Sequence, residues 1–188
     1  MMNPASYSLQ KIKREYNYII NNPLANLGFT LGLEKEGDYR HWRFTLCPPK
    51  DSLYKGGIYC LSAHFPDNFP NAPPDICFDT PIYHLNVNPF APKSFGDDKL
   101  GLVCINPLGL WRSDYSITEL IVSIFSLFYY ENPYCAYGSD RAQEYKNLRS
   151  SYEEKARYFT NMYADPRHQN ISDIKTKLLI GIFLFNQN

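Results

Sequence analysis

The sequence predicts a mixed α/β domain of the α+β type, in which helices cover an antiparallel sheet of four strands. Two observations predict this class. Four consecutive segments alternate apolar and polar residues and are separated by turn residues, which is typical of neighbouring strands. Segments with apolar residues spaced by three and four positions lie before and after them, which is typical of amphipathic helices. A long irregular loop separates the strands from the later helices.

An N-terminal helix is predicted over residues 6–21, with Ser6 or Ser8 as its N-cap and with Pro23 ending it. Its buried face is predicted to carry Leu9, Ile12, Tyr16 and Ile19. Its other face carries three basic residues, Lys11, Lys13 and Arg14. We interpret these bases as a solvated helix face, and a docking face for a partner protein is the alternative.

A four-stranded antiparallel meander is predicted next. The strand-like segments are 29–35, 41–47, 57–65 and 74–79. The segments between them, such as CPPKDSLYKGG and FPDNFPNAPP, are rich in Pro, Gly, Asp and Asn, which favour turns. Such a sheet needs cover on one face, and the flanking helices can supply it.

Residues 79–111 form the irregular loop, and loops of that length in compact domains are usually functional. A helix follows, with Ser116 or Ser113 as its N-cap. Ser116 and Glu119 have the spacing of a capping box. The helix is apolar over much of its circumference, which predicts that it is central and buried.

Two further amphipathic helices are predicted over residues 139–148 and 150–163, with a break around Ser150. The 188 residues predict one domain over 1–165 and a tail of unknown role over 166–188. The tail contains the apolar run LLIGIFLF, which is far shorter than the roughly 20 residues that span a bilayer, so no transmembrane segment is expected.

The composition and the N-terminal residues indicate which partners and which cellular location to expect. Nineteen basic and nineteen acidic residues give a formal charge of zero, so no nucleic-acid partner is expected. The amino terminus lacks the apolar core of a signal peptide, which favours a cytoplasmic or nuclear location. Five widely spaced cysteines without a CxxC pair fit neither a disulfide framework nor a zinc site, so we expect reduced thiols and no bound metal.

Common catalytic motifs are missing from the sequence, including the phosphate-binding loop, the dinucleotide fingerprint and the hydrolase elbow. By residue type alone, Cys104 in GLVCINPLGLW is either a buried thiol or a nucleophile. A cysteine protease is also open, but His84 could act as its base only if the long loop folded back.

The order of the motifs resembles the ubiquitin-conjugating enzyme family. A basic helix is followed by the stretch HWRFTLCPPKDSLYKGGIYCLSAHFPDNFPNAPPDICFDTPIYHLNVN and then by VCINPLGLW. Five features carry the resemblance: the YKGGIY turn, the HFPxxFPxxPP loop, the IYHxN triplet, the downstream cysteine and Trp111. Each is a weak signal alone, but together in this order they are specific. The resemblance covers residues from about 6 to 165. It implies the same fold, with the irregular stretch as the active-site loop.

The resemblance also implies functional residues. Cys104 is the implied acceptor of ubiquitin, as a thioester received from an activating enzyme and passed to a substrate lysine, usually with a ligase. Asn86 is the implied donor to the tetrahedral oxyanion, and His84 is implied to support the loop that presents it. The basic residues Lys11, Lys13 and Arg14 become a candidate docking face for the activating enzyme.

No cofactor is expected, since ATP is used by the activating enzyme upstream, and a monomer is expected. Two alternatives stay open. One is a conjugating enzyme for another ubiquitin-like modifier, and the other is a non-catalytic ubiquitin-binding variant of the fold.

Four features depart from the family pattern. The usual His-Pro-Asn is His84-Leu85-Asn86 here, and the loss of proline predicts a turn that is less fixed by its own backbone. Seventeen residues separate Asn86 from Cys104, about ten more than is common, and this insert could restrict access or provide a partner surface.

The other two departures concern the gate and the ligase loops. Family members often carry an acidic residue near the active site, and the matching stretch ENPYCAYGSD offers only Glu131 or Asp140. The loops that commonly contact RING-type ligases have Asn71 and Ser113-Asp114 where apolar residues and proline are frequent. A different or weaker ligase contact is therefore expected.

Overall fold

A computed structural model of the protein describes residues 4–88, 101–103 and 111–167. In chain order the elements are helix α1 (Pro4–Asn21), strands β1 (Thr30–Leu33), β2 (His41–Leu46), β3 (Tyr59–His64) and β4 (Asp75–Phe78), and helices α2 (Ile117–Ser126), α3 (Ser139–Asn147) and α4 (Arg149–Phe159). A 3₁₀ turn covers Pro133–Cys135, and a π-helical turn, Thr160–Ala164, follows α4. The predicted fold class is confirmed.

The four strands form one antiparallel sheet in the order β1-β2-β3-β4, so the predicted meander is confirmed. Phe44 pairs with Leu31 and Leu61, and Leu61 pairs with Phe78, which places one apolar row across the sheet. Because side chains alternate along a strand, the same face collects the buried residues of the core. From β2, β3 and β4 these are Trp42, Phe44, Leu46, Tyr59, Leu61, Ala63, Ile76 and Phe78.

Helix α2 has the predicted cap and the predicted burial. The Ser116 hydroxyl accepts from the Glu119 N–H at 3.2 Å, and the Glu119 carboxylate accepts from the Ser116 N–H at 2.7 Å. Ser116, rather than Ser113, is therefore the N-cap. The Ile117 N–H donates to the Glu15 carboxylate at 3.0 Å, which ties the start of α2 to α1. The residues of α2 that enter the core are Ile117, Leu120, Ile121 and Ile124.

Two helix boundaries differ from prediction. Helix α1 includes Ser6 and Ser8, so neither is its N-cap. Ser8 is buried instead, and its hydroxyl donates to the Pro66 carbonyl at 3.4 Å. The break between the last two helices lies at Leu148 rather than Ser150, since Leu148 leaves the helical region with φ of −131°. This change of direction brings Tyr152 of α4 into the core.

Candidate active site

The predicted site residues His84 and Asn86 lie in a buried turn, closed by the Val87 N–H donating to the His84 carbonyl at 3.3 Å. Arg141 of α3 holds this turn from the side, because its Nη1 donates to the carbonyls of His84 at 2.8 Å and Val87 at 3.1 Å. The guanidinium also lies 4.5 Å from the centre of the Tyr83 ring. Arg141 was not predicted from the sequence, because the two carbonyls that it binds are more than fifty positions away.

His84 supports the turn through both ring nitrogens. Its Nε2 is 3.0 Å from the Leu127 carbonyl and so carries the proton, and its Nδ1 accepts from the Asn86 N–H at 3.0 Å. This hydrogen-bond pattern assigns the neutral Nε2–H tautomer. Burial lowers the pKa of His84, and the nearby Glu131 carboxylate offsets only part of that effect. A neutral, fully bonded ring fits a supporting role rather than that of a catalytic base.

Asn86 is fully buried, and both N–H groups and the oxygen of its side-chain amide are hydrogen-bonded. Its Nδ2 donates to the Asn132 carbonyl at 2.7 Å and to the Cys135 carbonyl at 3.0 Å. Its Oδ1 accepts from the Asn132 N–H at 2.8 Å. Asn86 therefore binds the turn Pro133–Cys135 to its own turn, and a donor for an oxyanion has to come from one of these two N–H groups.

A buried carboxylate lies beside the turn. Glu131 Oε1 accepts from the Tyr54 hydroxyl at 2.6 Å and from the Tyr152 hydroxyl. The Tyr152 oxygen in turn accepts from the Leu85 N–H at 2.9 Å. Burial, followed by the neighbouring tyrosine and carboxylate, raises the pKa of Tyr54 well above its usual value, so this phenol stays protonated. Glu131 was considered from the sequence only as a gate acid, and this network was not predicted.

The gate region presents an aromatic side chain. Tyr134 is 96% exposed at the tip of the turn that Asn86 binds, whereas the Glu131 carboxylate is buried and engaged. Asp140 is exposed in the first turn of α3 and accepts from the Ser139 hydroxyl at 3.3 Å. Of the two acids considered for the gate, Asp140 is thus the one accessible to an incoming amine.

Residues 101–103 directly precede the predicted nucleophile in the sequence, and Val103 contacts two neighbouring segments. The Val103 N–H donates to the Ile76 carbonyl of β4 at 2.8 Å, and Val103 forms an isolated antiparallel bridge with Val87. Gly101 has a φ of 75°, and a Cβ there would lie 2.2 Å from the Phe78 carbonyl oxygen, so this position requires glycine. Cys104 itself and residues 89–100 lie outside the described residues.

The basic residues of α1 lie where the sequence placed them. Lys13 and Arg14 are exposed, and Lys11 is half-buried. The Lys13 ammonium lies 5.0 Å from the centre of the Tyr39 ring. These three side chains therefore present positive charge on the surface of α1.

The positions matching the ligase-binding loops are polar and exposed. Asn71 lies in the loop after β3, and Ser113 and Asp114 lie before α2. The Asp114 carboxylate pairs with Arg112 at 2.7 Å, and this hydrogen-bonded pairing lowers its pKa. Trp111, the aromatic residue between them, instead packs on Phe69 and donates to the Pro70 carbonyl at 3.0 Å.

Three kinds of feature are absent from the part of the chain that the structure describes. Within residues 4–88, 101–103 and 111–167, no group of three His, Cys, Asp or Glu side chains is placed to hold a metal ion. No disulfide joins the four described cysteines. None of the helices in the described part of the chain is long and apolar enough to cross a membrane.

Together, the sheet and the helices form an α+β domain, and the buried His-Leu-Asn turn is its candidate site. A family model described as ubiquitin-conjugating enzyme matches residues 11–160, which is most of the chain. The protein belongs to the ubiquitin-conjugating enzyme family, whose members are transferases that interact with ubiquitin, activating enzymes and ligases. The predicted resemblance is confirmed.

Proposed function

We propose that this protein is an active ubiquitin-conjugating enzyme that carries ubiquitin as a thioester on Cys104. The observation that carries the proposal is the bridge between Val87 and Val103. Asn86 directly precedes Val87, and Cys104 directly follows Val103. The bridge therefore joins the turn that carries Asn86 to the residue that directly precedes Cys104 in the sequence.

The chemistry proceeds in two steps on one sulfur. The Cys104 thiolate attacks the carbonyl of the thioester that the activating enzyme holds, and the tetrahedral intermediate expels the activating enzyme's thiolate. A substrate amine then attacks the new thioester, the C–S bond breaks, and the Cys104 thiolate leaves while the amine loses a proton. No cofactor of this chain is required, because ATP is consumed upstream. The proposed setting is the cytoplasm or nucleus.

Asn86 is the proposed donor to the oxyanion of the second step. We propose that the Asn86 N–H that donates to the Cys135 carbonyl at 3.0 Å turns toward the oxyanion, because this is the longer of its two donor contacts. Asp140, exposed at the start of α3, is the proposed acid that orients the incoming lysine. Lys11, Lys13 and Arg14 form the proposed docking face for the activating enzyme.

The direct test is a charging assay with activating enzyme, ATP and ubiquitin, resolved on gels with and without reducing agent. We expect a thiol-sensitive adduct that disappears in Cys104→Ala and becomes a thiol-resistant oxyester in Cys104→Ser. Cys47→Ala is the matched control, because burial raises the pKa of that thiol and lowers its reactivity. The Cys47→Ala protein should charge like the wild type.

Other outcomes of the same assay identify the alternatives. An adduct formed with another ubiquitin-like protein and its own activating enzyme, and not with ubiquitin, assigns a different modifier. The observation that supports the non-catalytic alternative is that the Asn86 amide already makes three hydrogen bonds within the protein. Absence of an adduct with every modifier, together with binding of free ubiquitin in a titration, would establish that alternative.

A further inference from the structure

The backbone of Leu85 is joined to the last helix of the domain. Leu85 is buried, and its N–H donates to the Tyr152 hydroxyl oxygen at 2.9 Å. Its carbonyl accepts from the Tyr137 N–H at 2.9 Å. A buried N–H without an acceptor is strongly unfavourable, so a turn with leucine at this position depends on the tyrosine hydroxyl. Proline at the same position would have no N–H to satisfy.

The Tyr152 hydroxyl is itself held in one orientation. It donates to Glu131 Oε1, which also accepts from Tyr54 at 2.6 Å, and the two phenol oxygens are 3.3 Å apart. Burial raises the pKa of Tyr152 and of Tyr54, so both phenols remain donors at neutral pH. The hydroxyl proton of Tyr152 therefore points to the carboxylate, and its oxygen faces the Leu85 N–H.

These contacts close a ring of residues around the site. Leu85 is covalently joined to Asn86, and Glu131 is covalently joined to Asn132. The Asn86 side chain binds the Asn132 backbone on one side of the ring, and Tyr152 connects Leu85 to Glu131 on the other. The turn with Asn86 and the segment after α2 are thus connected at two points, which restricts their movement relative to each other.

We propose that Tyr152, held by Glu131, is a positioning residue that fixes Asn86 during transfer of the modifier from Cys104. The inference rests on the proposed function. Formation of the thioester requires access to the thiol, whereas attack by an amine additionally requires a correctly placed donor. Loss of the Tyr152 hydroxyl should therefore slow discharge while leaving charging largely intact.

The test compares Tyr152→Phe with Tyr59→Phe. The phenylalanine at 152 keeps the ring packing on Tyr83 and Tyr145 and removes only the hydroxyl. Tyr59 is the matched control, since it is a buried tyrosine whose hydroxyl bonds to Thr160, away from the turn. In single-turnover discharge onto free lysine, Tyr152→Phe should lower the maximal rate about tenfold with an unchanged half-saturating lysine concentration. Tyr59→Phe should discharge within about twofold of the wild type.

Two further measurements make the result specific. Amide hydrogen exchange at Leu85 should accelerate in Tyr152→Phe and not in Tyr59→Phe. The double variant Leu85→Pro/Tyr152→Phe should recover most of the lost discharge rate, because the N–H that needed the hydroxyl is gone. If the double variant does not fold, the Leu85 exchange and the discharge of Tyr152→Phe still decide the question.

Normal discharge by Tyr152→Phe, or Leu85 exchange equal to that of the wild type, would overturn the inference. A wild-type protein that forms no thioester with any modifier contradicts the proposed function instead. In that case, unchanged Leu85 exchange in Tyr152→Phe would also show that the connection through Tyr152 is wrong.

Discussion

The side chain of Asn86 and the backbone of Asn132 exchange two hydrogen bonds, one of 2.7 Å from Nδ2 to the carbonyl and one of 2.8 Å from the N–H to Oδ1. The two residues are 46 positions apart, so this contact joins the turn before the long insert to the segment after α2. The residue proposed to stabilise the oxyanion is therefore also a structural residue, and its substitution has two separable effects.

Asn86→Ala should charge and then discharge poorly. Removal of one oxyanion donor typically lowers a rate by about a hundredfold or more. The same change removes three hydrogen bonds to the Asn132 and Cys135 backbone and should lower the free energy of unfolding by about 1–3 kcal/mol. Thioester decay on lysine and urea unfolding measure the two effects. Asn22→Ala, at the exposed end of α1, is the control. Discharge that stays at the wild-type rate removes Asn86 from the catalytic step.

Arg141→Ala should destabilise the turn from its outer side. The guanidinium donates to the carbonyls of His84 and Val87, and hydrogen bonds from charged groups contribute about 1.5–3 kcal/mol where they are buried. Since Arg141 is partly exposed, we expect a loss of about 1–2 kcal/mol in urea unfolding and slower discharge. Arg157→Ala removes an exposed ion pair with Glu153 on α4 and should change stability by less than about 0.5 kcal/mol. Equal losses in the two variants would contradict the role of Arg141.

Glu144 should make stability depend on pH in the acidic range. Burial raises its pKa, but hydrogen bonds from Lys155, Tyr83 and Ser151 outweigh burial and bring the pKa to about 2. Because the folded pKa lies below the unfolded value, the stabilisation is full above about pH 4.5 and is lost as pH falls toward 2.

Glu144→Gln should therefore reduce the pH dependence of the free energy of unfolding between about pH 5 and 2. Glu154→Gln, an exposed change on α4, is the control variant. Chemical unfolding at several pH values measures this. Parallel curves for Glu144→Gln and the wild type would show that the carboxylate is not stabilised in the fold.

The double reversal Lys13→Glu/Arg14→Glu should slow charging by the activating enzyme and leave discharge onto lysine unchanged. Charge on an exposed helix face acts mainly on the association rate, and the effect weakens with salt. Initial charging rates at low and high ionic strength measure it. Arg157→Glu on α4 is a control of similar exposure on another helix. Charging that is unaffected at low salt would assign these bases to a solvated surface.

Local patterns predicted the elements well and the site connections poorly. Alternation located all four strands, and the Ser116–Glu119 spacing gave the cap of α2, because each depends on residues that are close in the sequence. Ser8 was misjudged because its hydroxyl bonds to Pro66, which lies 58 positions away.

The same limit applies to the turn. The leucine at 85 predicted a turn less fixed by its own backbone, and that reasoning could not include a hydroxyl 67 positions later that accepts the Leu85 N–H. The tertiary arrangement adds a restraint that no local pattern contains.

The bridge between Val87 and Val103 also determines how changes in the number of residues between them affect the rest of the fold. Next to it, the Asn88 N–H donates to the Leu102 carbonyl at 2.9 Å, so Asn88 and Leu102 are held side by side. Doubling a loop closed in this way costs only about 0.6 kcal/mol in closure entropy. The length between these two anchors can therefore be shortened or extended, by evolution or by an engineer adding a binding sequence, with little effect on the geometry of the turn that holds Asn86.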